Sequence, residues 1–270
     1  MYKEFYNLKE NPFKLSPSLD YFFLSARIKN LLKLLQYGLE QNVGFMMITG
    51  EIGVGKTSFL RYFLSQLDAN VERVYLFNPT FSRAEELLQF FLLDLKLIPE
   101  ATSNETKVSL LQKIYHYLLK QHDQGKKVLF IIDDAQAAPD FILEEIRLLS
   151  NFETNQEKLM QILLVGQPEL KEKVESRALR QLGQRIAIKV EMKPLDREET
   201  EAYIQYRLLK AGAQTNLFKR RAVKLIHKKS KGLPRLINLI AERALIAGYL
   251  RSKLQIGKKE IKIAIKDLNL

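Results

Sequence analysis

Residues Gly50-Glu51-Ile52-Gly53-Val54-Gly55-Lys56-Thr57-Ser58 combine three glycines, a lysine and two hydroxyls in the order G-x-x-x-x-G-K-[ST]. That spacing is suited to holding the phosphates of a nucleotide. Glycine has no Cβ, so backbone N–H groups at Gly50 to Gly55 can close around phosphate oxygens. Lys56 supplies a cation for the β- and γ-phosphates, Ser58 extends the phosphate site, and the Thr57 hydroxyl is a ligand for Mg²⁺. A second candidate group, Asp133-Asp134, directly follows the apolar run Val128-Leu-Phe-Ile-Ile132. Asp133 is expected to hold Mg²⁺, directly or through water. Asp134 is expected to face the attacking water. The cofactors implied are therefore ATP and Mg²⁺, and the reaction is hydrolysis. No Asn-Lys-x-Asp base-reading motif occurs, which disfavours a GTPase of the Ras type.

These groups need strands and helices to position them. Five β-like runs occur: Val43–Thr49, Arg73–Phe77, Lys127–Ile132, Leu159–Val165 and Arg185–Glu191. The middle three are continuous apolar runs, as expected of parallel strands buried on both faces. Helical periodicity lies between the runs, at 55–67, 83–95, 106–124, 139–150 and 168–182. Alternation of this kind predicts an α/β fold with a parallel sheet. The phosphate motif then follows the first strand and opens a helix, whose N-terminus adds unpaired N–H donors and positive dipole. Asp133-Asp134 falls at the carboxyl end of the third strand, where open parallel sheets bind ligands. After Pro194 the strand pattern stops. Asp196–Leu209, Phe218–Ser230, Pro234–Tyr249 and Lys258–Ile265 read as helices, placing an α/β ATPase domain at 1–193 and a small helical domain at 194–270.

Further blocks make the combination specific. Met1-Tyr2…Phe5…Leu8…Asn11-Pro12-Phe13…Pro17…Tyr21-Phe22 opens the chain. Asp133-Asp134-Ala135-Gln136, Leu148–Thr154, Val165-Gly-Gln-Pro-Glu-Leu170, Leu179–Ile186 and Gly232-Leu-Pro-Arg-Leu-Ile-Asn238 follow. With the phosphate motif, these resemble the general secretion pathway protein A and MSHA pilus biogenesis protein M family of AAA+ ATPases, over essentially the whole chain. The resemblance implies a five-stranded AAA+ core with a C-terminal helical lid. It implies roles that spacing does not give: Gln167 as the polar sensor near the γ-phosphate, Arg235 as the second sensor, and Arg185, or else Arg180, as the finger that completes a neighbouring subunit's site. An arginine placed on developing phosphoryl charge stabilises the transition state. The implied function is assembly of a type II secretion or type IV pilus machine, with ATP-dependent self-association and a membrane-anchored assembly protein as partner. Two departures stand out. The family usually has Asp-Glu where this chain has Asp133-Asp134, which touches the rate of hydrolysis, and Gly where Asn7 stands. Secretion members often continue into a membrane span; ending at Leu270, this chain resembles only the cytoplasmic ATPase module.

Composition bounds the remaining possibilities. With no cysteine, structural disulfides and thiolate metal sites are excluded, which fits a reducing cytoplasm. The opening residues carry no basic region followed by an apolar core, so no signal peptide is expected. The apolar stretch 233–250 is broken by Arg235, Glu242 and Arg243, so no membrane span is expected there. Net charge is +12, and residues 193–270 hold 19 Lys and Arg against 7 Asp and Glu, which accounts for all of it. A basic lobe suggests weak contact with nucleic acid, an acidic membrane face or an acidic protein. A DNA-handling ATPase, with Lys219-Arg-Arg221, Lys228-Lys229 and Lys231 meeting phosphates, is the alternative to the assembly role. A nucleotide-gated scaffold that barely hydrolyses ATP is another, because of Asp134.

Overall fold

The computed structural model describes residues 1–16, 18–101, 105–154 and 157–270. Pro17 of the opening block lies outside the described residues. In chain order the elements are α1 (Tyr2–Phe5), α2 (Ala26–Glu40), β1 (Phe45–Gly50), α3 (Lys56–Ser65), β2 (Val71–Phe77), α4 (Ala84–Asp94), α5 (Lys107–Asp123), β3 (Lys127–Asp133), α6 (Asp140–Leu149), β4 (Gln161–Gly166), α7 (Pro168–Glu175), α8 (Arg180–Arg185), β5 (Ile186–Met192), α9 (Arg197–Lys210), α10 (Arg220–Ser230), α11 (Pro234–Leu250) and α12 (Lys258–Asp267). Contacts divide them into two compact units.

The first unit, Ile28–Gly50 with Ser65–Met192, contains the sheet. All five strands run parallel in the order β2-β3-β4-β1-β5. Every residue of β1 and β4 is buried, and every residue of β3 except Lys127. Their apolar runs are therefore those of central strands covered on both faces. The expectation that the second run is such a strand is corrected. β2 is an edge strand in which Val74 and Leu76 are buried while Phe77 is 63% exposed, so its apolar residues serve one face only. The core of this unit gathers Phe45, Phe91, Phe130, Ile146 and Leu164, with Phe91 edge-on to Phe130 at 5.2 Å.

Two helical expectations also change. The pattern at 168–182 is two short helices, because Ser176 is extended at φ −63° and ψ 159°. Helix α2 precedes the first strand, where no helix was expected; its buried Leu31, Leu32, Leu35, Gly38 and Leu39 recur with helical spacing.

The second unit comprises Met1–Arg27, Glu51–Leu64 and Lys193–Leu270. Its core joins Tyr6, Leu8 and Phe13 from the opening residues to Leu208, Phe218, Ile237, Ile240 and Ile261. Asp196 caps α9 in a reciprocal box with Glu199. The Asn-Pro-Phe block has a physical role here. Asn11 Oδ1 accepts from the Phe13 N–H at 2.8 Å, and the Asn11 amide donates to Glu242. This turn delivers Phe13, fully buried, edge-on to Phe218 at 5.9 Å. Arg207, buried on α9, donates to the carbonyls of Pro12 and Lys14 and to the Tyr203 hydroxyl. Its guanidinium also lies 5.0 Å from the Tyr21 ring centroid. Among the described residues no helix is long and apolar enough to cross a membrane.

Candidate nucleotide site

The phosphate loop belongs to the helical unit. Gly53 has φ +82° and Gly55 φ +107°, backbone conformations that L side chains rarely adopt. They turn the loop into α3, which begins at Lys56 and presents its first N–H groups there. The Val54 N–H closes on the Glu51 carbonyl at 3.2 Å, and the Lys56 ammonium donates to the same carbonyl at 3.2 Å. Thr57 is exposed, while Phe59, Leu60 and Phe63 anchor the helix in the interior. Arg235, in the first turn of α11, lies against this loop. Its backbone N–H donates to the Gly53 carbonyl at 3.3 Å. A Cβ on Gly53 would come within 3.0 Å of Arg235 Cβ, so the arginine stem runs along the loop.

The candidate carboxylates belong to the sheet unit. Register fixes their place: Thr49 lies beside Gly166, and Ile132 beside Leu164. Gly50, Asp133 and Gln167 therefore all stand at the carboxyl edge of three central strands, where parallel sheets bind ligands. Asp133 is 2% exposed. Its Oδ1 accepts the Asp134 N–H at 2.9 Å and its Oδ2 accepts the Tyr75 hydroxyl at 2.8 Å. Asp134 turns out of the strand at φ 51°. Gln136 joins two parts of this edge: its amide nitrogen donates to Asp134 Oδ1 at 3.1 Å, and its amide oxygen accepts the Gln167 N–H at 3.0 Å. Lys173 holds the segment after it by donating to the Gln136 and Ala138 carbonyls. Within the helical unit the loop offers a cation and helix-start N–H groups of the kind phosphate requires, and within the sheet unit Asp133 offers carboxylate oxygens of the kind Mg²⁺ takes.

Arg185 ends α8, and its guanidinium donates to Asn151 Oδ1 at 2.6 Å and Ser150 Oγ at 3.0 Å. Two of the sequence blocks, Leu148–Thr154 and Leu179–Ile186, thus meet at this arginine. Arg180, at the start of the same helix, is exposed. Tyr75 is the residue that sequence reasoning missed. Tyrosine is a common strand former, and the only signal for it is its place on the strand next to β3.

Comparison with known proteins agrees with this architecture. The sequence model of the family described as AAA domain matches residues 39–174. General secretion pathway protein A of Aeromonas hydrophila is 37% identical over 269 residues. The match covers 100% of this chain and 49% of that protein, so the chain spans about half the length of that relative. Among solved structures, the Aeropyrum pernix ORC2 protein in ADPNP–ADP complexes superposes with a TM-score of 0.68 at 15% identity, over 96% of this chain and 71% of that one. The Thermotoga maritima RuvB Holliday junction branch migration motor gives 0.61 at 18% identity, over 95% and 74%. These two share the fold with this chain.

Proposed function

We propose that this chain, which belongs to the AAA domain family of ATPases, hydrolyses Mg-ATP to drive assembly of a type II secretion or type IV pilus machine. The observation that carries the nucleotide part is the loop with Gly53 and Gly55 at positive φ, opening α3 with Lys56 in its first turn. In this reading Gly50 to Ser58 bind the phosphates, and Thr57 and Asp133 hold Mg²⁺. Bound Mg²⁺ would neutralise charge on the phosphoryl oxygens. Asp134 orients the attacking water, with Gln167 and Arg235 sensing the nucleotide. Arg185 acts on the site of a second copy, so self-association depends on ATP. The assembly role is supported by the 37% identity to general secretion pathway protein A along all of this chain. In this reading the partner is a membrane-anchored secretion or pilus protein, and the chain acts in the cytoplasm at the inner membrane.

Two measurements test the reading. Each charge-assisted contact to phosphate is worth roughly 1.5–3 kcal/mol. Lys56→Ala should therefore weaken Mg-ATP binding by about tenfold or more in a calorimetric titration, and wild-type affinity would remove the site assignment. Replacing the gene by the Lys56→Ala form should halt secretion or piliation, and a host that assembles and secretes normally would remove the assembly role.

A further inference from the structure

We infer that the helical unit carries a membrane-docking edge, formed by the α11–α12 loop and the starts of α10 and α12, whose occupant is an anionic lipid surface. Ile256 pairs in parallel with Phe218; its N–H donates to the Leu217 carbonyl at 2.8 Å, and its carbonyl accepts the Lys219 N–H at 3.0 Å. This pairing sets the starts of α10 and α12 beside each other. Lys219, Arg220 and Arg221 follow it on one segment, Lys258 and Lys259 on the other, and all five are exposed. On the N-terminal side of Ile256 the loop offers Leu250 at 75% exposure and Leu254 at 68%, with Arg251 and Lys253 between them.

Residues 217–231 and 250–259 contain no Asp or Glu. The next carboxylate along the chain, Glu260, is buried and occupied: it accepts the Gly257 N–H at 2.9 Å and faces Arg251 at 3.6 Å. The two segments are thus cationic, with no exposed carboxylate of their own to oppose an anion. Charge alone would suit any polyanion. The two leucines decide between them. A phosphate backbone in water offers apolar side chains nothing, whereas a bilayer accepts leucines below its headgroups while lysines stay at headgroup level.

The test uses the whole chain with vesicles of phosphatidylcholine, with and without phosphatidylglycerol. Co-sedimentation should require phosphatidylglycerol and weaken with salt. Each cation at an anionic surface is worth roughly fivefold in partition, so Lys258→Gln with Lys259→Gln should lower it on the order of tenfold or more. Leu250→Ser with Leu254→Ser should abolish it while ATP hydrolysis is unchanged. The chain has no Trp, so Leu254→Trp gives a single tryptophan, whose emission should shift to the blue on anionic vesicles. Vesicle binding should survive in Lys56→Ala, which separates this inference from the nucleotide reading. No binding, binding indifferent to the leucines, an unshifted Leu254→Trp spectrum, or capture by duplex DNA in place of vesicles would each overturn it.

Discussion

Asp134 stands at φ 51°, a left-handed conformation that aspartate tolerates better than most residues. There its carboxylate is held by the Gln136 amide. Aspartate is one methylene shorter than the glutamate usual in the resembled family, about 1.5 Å. A misplacement near 1 Å can cost on the order of a hundredfold in rate. The expected behaviour is intact Mg-ATP binding with slow basal turnover, and faster single-turnover hydrolysis by Asp134→Glu. A slower Asp134→Glu enzyme would mean that the Gln136 contact has tuned the site for aspartate. The candidate carboxylates and the phosphate loop were legible because their residue types and spacing are dictated by chemistry. Tyr75 was not, because a hydroxyl arriving from a neighbouring strand leaves no local pattern.

At the level of elements, the junction of β4 and α7 leaves no room for a side chain at Gly166. A Cβ on Gly166 would lie 2.6 Å from Gln136 Oε1 and 2.8 Å from Leu170 Cδ2. Gly166→Ala should push Gln136 off the Gln167 N–H, costing about 1–3 kcal/mol. Thermal unfolding should register the loss, and hydrolysis should fall more than nucleotide binding. Unchanged stability and rate would show that the Gln136 link is dispensable. Helix α8 presents Arg185 to Ser150 and Asn151. If it serves a second copy, Arg185→Ala should lower hydrolysis more than binding, and mixing it with Lys56→Ala should restore activity. No recovery, with a monomer at every ATP concentration in sedimentation, would exclude a shared site. Strand existence was readable from apolar runs. Strand order was not, since Arg73–Phe77 resembles a central run by composition and is an edge by pairing. The break between α7 and α8 was hidden too, because apolar spacing continues across Ser176.

For the molecule as a whole, the opening residues share a core with the helices that follow Lys193. Hydrophobic pattern tells which residues are buried but not against what, so this partnership was not visible in the sequence. Arg207 concentrates it: Arg207→Met should strand the Pro12 and Lys14 carbonyls and destabilise by roughly 1–3 kcal/mol. A thermal midpoint equal to that of the unsubstituted chain would show that Phe13 alone holds the segment. The same partnership has a consequence for the order in which the chain is made. Tyr6 bonds the Lys253 carbonyl across 247 positions, and Asn11 bonds Glu242 across 231. Synthesis runs from the N-terminus, at about 5–20 residues per second. All five strands have been made once Met192 has been added, but Phe13 then still lacks Phe218. Tyr6, Leu8 and Phe13 must therefore wait for residues made well after them before they can be buried, and in that interval they are apolar surface a chaperone would meet.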